Sequence, residues 1–152
     1  MMKLFTPMTL PILLLGFLLS ACGDGGTGPS DGPGNGGGGS DDRVIVADPS
    51  FSSVIQDIFN RRGCNSGSCH GSSQSAGLDL RAGNAHGELV NVPSTQTSVA
   101  RVVPGDADNS YLIIKVEGRQ PVGERMPLGG SPLDNIDLTN LKNWINQGAQ
   151  NN

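Results

Sequence analysis

Between Gly23 and Asp42 the chain reads GDGGTGPSDGPGNGGGGSDD, with glycine at half of its twenty positions and no bulky apolar side chain. Such a stretch cannot bury enough apolar surface to offset the entropy of ordering it. It divides the 152 residues into a leader before it and one domain's worth of sequence after it, Arg43 to Asn152. Twenty Gly-rich residues have a root-mean-square span of about 25 Å, so the stretch is expected to be a flexible tether. The domain beyond it has few large side chains. Its aromatic residues are Phe51, Phe59, Tyr111 and Trp144. A core this thin would gain from a buried cofactor.

The leader carries Lys3, a mostly apolar run from Leu10 to Leu19, and then Ser20-Ala21-Cys22. That is the layout of a secretory signal peptide. The run is shorter than the roughly 20 apolar residues of a membrane-spanning helix. Leu19-Ser20-Ala21-Cys22 resembles the lipobox of bacterial lipoproteins, which implies cleavage before Cys22 and lipidation of that cysteine. Simple secretion, with Cys22 near the cut by chance, is the competing reading. The expected organisation is a signal peptide over 1–21, a lipidated cysteine and tether over 22–42, and a folded domain over 43–152. The expected location is the bacterial cell envelope, facing the periplasm. Gly23 rather than an aspartate after the cysteine implies, by the same resemblance, the outer membrane. Cleavage removes one lysine and no acid, leaving nine basic and fourteen acidic side chains, a net charge of about −5. That balance argues against nucleic acid or anionic headgroups as partners, so acyl chains would do the anchoring.

Loss of the leader also sharpens the chemistry. Met1, Met2 and Met8 leave with it, and Cys22 is taken by lipid. The sulfur and imidazole side chains of the mature domain are then Cys64, Cys69, His70, His86 and Met126. Three of them fall in Cys64-Asn65-Ser66-Gly67-Ser68-Cys69-His70. Adjacent Cys69-His70 suits covalent haem attachment, in which two cysteines form thioethers and the next histidine is held under the iron. The usual spacing has two residues between the cysteines, whereas this chain has four. The insert is small and contains a glycine, so it can bulge at low steric cost. Two other readings stay open. A Cys64–Cys69 disulfide would persist in an oxidising envelope, although its short loop gains little and leaves His70 unexplained. Zinc is the other, although adjacent Cys69-His70 is a poor tetrahedral chelate. Met126 lies in Arg125-Met126-Pro127-Leu128-Gly129-Gly130, a loop by its Pro and Gly content. A thioether there suits a distal haem ligand, against the plainer reading of a methionine packed on the core. His86, in Ala82-Gly83-Asn84-Ala85-His86-Gly87-Glu88, reads as a solvated side chain on a surface turn or short helix, with replacement of Met126 at the iron as the alternative.

An ordered set of short stretches extends the pattern. Ile58-Phe59 leads into the cysteine motif, followed by Gly77-Leu78-Asp79-Leu80 and Val102-Val103-Pro104-Gly105-Asp106. Ser110-Tyr111-Leu112-Ile113 and Arg125-Met126-Pro127 come next, and Trp144-Ile145-Asn146-Gln147-Gly148-Ala149 closes the set. Together they resemble monohaem c-type cytochromes, in particular the cytochrome-c-like domain of bacterial envelope lipoproteins and planctomycete-type proteins. The resemblance covers most of residues 50–149. It implies a mainly α, cytochrome c-like domain around one covalent haem c. Cys64 and Cys69 would form the thioethers, His70 would be the proximal ligand and Met126 the distal one. It also implies that the first and last helices pack together near Phe59 and Trp144.

Apolar spacing supports a helical reading. Phe51, Val54, Ile55, Ile58 and Phe59 make a stripe that predicts a helix over 51–62, with Ser50 or Ser52 as cap and Gly63 at its end. A second helix is expected over 109–116 with Asp108 as N-cap, and a strand is the alternative for its apolar run. Asp134 is expected to cap a last helix that carries Leu138, Leu141, Trp144 and Ile145 on one face, with Gly148 past its end. The functional expectation is a lipid-anchored, one-electron carrier rather than an enzyme, serving redox proteins of the envelope. Two alternatives are a haem enzyme or gas sensor with an open iron position, and a haem-free binding module with a Cys64–Cys69 disulfide.

Overall fold

The computed structural model describes residues 43–152; the leader, Cys22 and the tether lie outside the described residues. The domain is mainly helical. Helix α1 (Gln56–Arg61) continues a π-helical turn, Phe51–Ile55, and α2 (Ala85–Leu89) is one short turn. Helix α3 covers Tyr111–Glu117 and α4 covers Asn135–Asn146. Among the described residues there is no strand, only isolated bridges such as Val90 to Val102 between α2 and α3.

Helix α4 forms where the sequence signals it. The Asp134 carboxylate accepts the Asp137 N–H at 3.0 Å, which satisfies one of the unpaired first-turn donors. Leu141, Trp144 and Ile145, at most 1% exposed, bury one face. Gly148, at φ +99°, turns the chain away at the end. At the first helix Gly63 (φ +67°) ends the run as expected, but no serine caps it. Ser50 instead donates its hydroxyl to the Asn152 carbonyl at 2.9 Å. Its own carbonyl accepts both Val54 and Ile55 N–H, at 3.0 and 3.2 Å, and this widens the first turn to π geometry. Helix α3 is helix rather than strand, but its N-cap position is Ser110, not Asp108. The Ser110 hydroxyl donates to the Asp106 carbonyl (2.8 Å) and accepts the Val103 N–H (2.9 Å), and Asp108 pairs with Lys142 at 3.5 Å.

The π turn packs on α4, as does α3. The aromatic contact at the first junction is Phe51 on Trp144, with ring centroids 5.2 Å apart, rather than Phe59. Ile55, Ile58, Leu89, Ile113, Leu141 and Ile145 fill the space between, each 1% exposed or less.

Two polar features hold this core at its edges. Asp137 is 1% exposed and accepts from Arg43 (3.1 Å), Arg61 (3.0 Å) and Arg62 (2.6 Å), tying α1 to α4. Along α4, Asn140 bonds Val46 N–H (2.8 Å) and Val44 C=O (3.0 Å), and Asn143 bonds Val46 C=O (2.8 Å). Gln147 adds a contact to the Ala47 carbonyl. The extended segment from Arg43 is thereby laid along the helix, its backbone groups paired with amide side chains instead of a strand.

Candidate functional site

Gly63 ends α1 so that the Cys64 N–H returns to the Phe59 carbonyl at 2.9 Å. The chain then coils on itself through turns closed by Cys69 N–H to Ser66 C=O, His70 N–H to Cys64 C=O and Gly71 N–H to Ser66 C=O, each 3.0 Å. These bonds absorb the two extra residues between the cysteines. The bond from His70 to Cys64 brings the first cysteine back beside the Cys69-His70 pair. Gly71 is what the coil closes on. A Cβ there would lie 2.4 Å from the Asn65 carbonyl oxygen and 2.6 Å from that of Ser66, both backbone atoms that cannot rotate aside. Gly71→Ala is therefore expected to destabilise the domain by about 1–3 kcal/mol. Gly67→Ala, whose added Cβ meets only the Ser72 hydroxyl at 3.4 Å, should be nearly neutral. Urea unfolding of the two variants checks this, and equal midpoints would contradict it.

Cys64, Cys69 and His70 open onto a cavity of about 420 Å³, and Met126 lines the same cavity. That volume is within the roughly 300–1,000 Å³ of small-molecule and cofactor sites. Its walls are largely apolar, formed by Ile58, Phe59, Leu80, Leu89, Leu112 and Leu141. The charged side chains in the wall, Arg62, Arg101 and Lys115, are all basic, although the chain as a whole is acidic.

The imidazole of His70 is fixed by its backbone surroundings. Nδ1 lies 2.9 Å from the Ser75 carbonyl, to which it can only donate. The proton is then on Nδ1, and Nε2 keeps its lone pair. Burial, the leading cause, lowers the His70 pKa, against the Ser75 and Leu78 carbonyls, which raise it. Ser75 is presented by two residues in left-handed conformation, Gln74 (φ 47°) and Ala76 (φ 56°). The Ser75 N–H bonds the Cys69 carbonyl (3.1 Å), and Leu80 N–H bonds the His70 carbonyl (2.7 Å). Asp79, 4% exposed, staples the turn between them. Its carboxylate accepts from Arg81 and Asn84, and the Arg81 bonds hold its pKa well below the usual carboxylate range.

Cys64 and Cys69 are half-buried free thiols, and burial pushes the Cys64 pKa up to about 11. Among the described residues no three His, Cys, Asp or Glu side chains group as a metal site. His86 does not line the cavity, and it is not the solvated side chain expected from its Gly-rich surroundings. It is half-buried on α2, its Nε2 bonds the Ala149 carbonyl at 2.8 Å, and its ring meets Phe51 at 5.1 Å and Trp144 at 6.1 Å. It joins α2 to the C-terminal tail. Met126 lies in an irregular loop between α3 and α4, half-buried, with its N–H on the Lys115 carbonyl at 3.0 Å.

Sequence reasoning brought together Cys64, Cys69, His70 and Met126, and all four share the cavity. It missed the Ser75 carbonyl, the close approach at Gly71 and the basic groups in the wall. Of these only Gly71 had a local signal, its place directly after Cys69-His70. No family model, curated protein or solved structure matches this chain.

Proposed function

We propose that the domain is a monohaem c-type cytochrome, an electron carrier rather than an enzyme. One haem c would be held by thioethers from Cys64 and Cys69, with His70 as proximal and Met126 as distal ligand. One observation carries this reading. Two thiols, an imidazole with its proton on Nδ1 and a thioether line a single, largely apolar cavity, although Met126 lies far in sequence from the other three. The donor set fits haem. When bound, haem supplies reversible one-electron exchange at iron.

The chain's own residues do the rest. The Ser75 carbonyl holds the His70 proton on Nδ1 and fixes the ring. Ile58, Leu80 and Leu141 give the cavity an apolar wall of low dielectric, beside which each fixed charge counts for more. Arg62 and Arg101 are ion-paired with acids, so among the basic groups of the wall it is Lys115 that favours negative charge within the cavity. His70 and Met126 would both be taken as haem ligands, which suits a carrier rather than an enzyme. Cys22, lipidated, would tether the carrier to the envelope membrane through the Gly-rich stretch, where it would exchange electrons with redox proteins.

Met126→Ala tests the distal ligand. The variant is expected to retain haem, because Cys64, Cys69 and His70 are untouched. It should lose the ferric methionine–iron charge-transfer band and drop in reduction potential by on the order of 0.1 V, a modest part of the roughly 0.8 V that axial ligands command. It should also gain carbon monoxide binding in the ferrous state. An unchanged spectrum would remove Met126 as ligand. Carbon monoxide binding to the wild type without displacement of methionine would favour an open-site haem enzyme or sensor.

A further inference from the structure

Lys115 stands on α3 in the wall of the cavity that Met126 also lines. Its ammonium reaches into the loop that follows, donating to the Glu124 carbonyl at 2.9 Å and the Val122 carbonyl at 3.4 Å. Its own carbonyl accepts the Met126 N–H at 3.0 Å. One residue therefore grips both ends of the stretch from Val122 to Met126. Gly123, at φ +71°, passes so close that a Cβ there would lie 3.2 Å from the Lys115 Nζ. The loop path is fitted around the ammonium.

The other basic groups of the wall are matched by acids. Arg62 bonds Asp137 and Asp134, and Arg101 bonds Glu88. Lys115 is half-buried. Its ammonium bonds the two loop carbonyls and lies 5.9 Å from the Tyr111 ring, and no carboxylate is in ion-pair distance among the described residues, Glu124 acting on it through its charge from farther away. A charge drawn partly out of water without an ion-paired acid is unfavourable. A leucine would cover the same wall without that cost. What the ammonium adds is donors aimed at loop carbonyls, which no apolar side chain supplies.

We propose that Lys115 is the positioning residue for Met126, clamping Val122 and Glu124 to α3 and so keeping the thioether at the cavity. The clamp stands on the hydrogen bonds alone. Its consequence at the iron rests on the haem reading given above. Two measurements on the exported full chain separate the two. Amide hydrogen exchange is compared for wild type, Lys115→Leu and Lys115→Arg. Lys115→Leu is expected to exchange about tenfold faster over residues 122–127 and unchanged elsewhere, and Lys115→Arg, which retains donors, to stay close to wild type. Unchanged exchange in Lys115→Leu, or faster exchange throughout the domain, overturns the clamp. In holoprotein, imidazole is expected to displace methionine about tenfold more readily in Lys115→Leu than in wild type, with equal haem content. Equal imidazole affinity overturns the positioning role. A colourless protein defeats the haem reading, and the exchange comparison then still decides the clamp.

Discussion

His70→Ala is expected to abolish stable holoprotein in chain exported with a haem-maturation system. The imidazole is held by the Ser75 carbonyl with Nε2 as its remaining acceptor, and no other imidazole lines the cavity. His86 cannot stand in for it, being committed to Ala149, Phe51 and Trp144. Alanine leaves the backbone bonds of the coil intact, so the fold should survive while its ligand is lost. Cys69→Ala should behave alike. Cys64→Ala is expected to retain part of the haem through one thioether, since the His70 N–H bond is to the Cys64 backbone and not its sulfur. In-gel haem staining and far-UV circular dichroism check both halves. Equal haem content in all three variants would sink attachment at this motif.

Asp137→Ala should have the largest effect on stability, independent of any cofactor. Its carboxylate is 1% exposed and collects Arg43, Arg61 and Arg62, whose side chains are 22–35% exposed. Removing one partner of a buried pair typically costs 3–5 kcal/mol. These guanidinium groups can partly rehydrate, so about 3 kcal/mol is expected, or a fall in Tm of about 10–20 °C. Thermal unfolding measures it, and a loss under about 1 kcal/mol would show the cluster to be surface decoration. The neighbouring Asp134 adds a pH signature. Its bond from the Asp137 N–H, then Arg43 and Arg62, hold its pKa at about 2. A depressed carboxylate stabilises the fold above its unfolded pKa of about 4, and that contribution fades as pH falls toward 2.

Much of this was legible where side-chain identity and local geometry coincide. The α4 face, its Asp134 cap and Gly148 follow from a 3.6-residue stripe and end signals, and the structure has them. Gly63 likewise stops α1 before Cys64. The reading failed where distant backbone decides. Ser50 has a capping side chain but spends it on Asn152, at the other end of the chain. Ser110 stands at the N-cap position expected of Asp108, its hydroxyl bonded to the Asp106 carbonyl and the Val103 N–H instead of to the helix. Asn140, Asn143 and Gln147 carry no local signal of their partners, and they bind the extended segment from Val44 to Ala47. At the site, rarity of residue type singled out Cys64, Cys69, His70 and Met126. The Ser75 carbonyl and the Lys115 clamp act through main-chain oxygens, which no residue pattern marks.

The haem reading is tested most directly by a pyridine haemochrome spectrum with intact mass, taken on the full chain exported with a haem-maturation system. A c-type spectrum is expected, with one haem retained on the polypeptide after denaturation. A colourless protein two hydrogens lighter than its reduced form would mean a Cys64–Cys69 disulfide. That result would contradict the account and leave a tethered binding domain in its place.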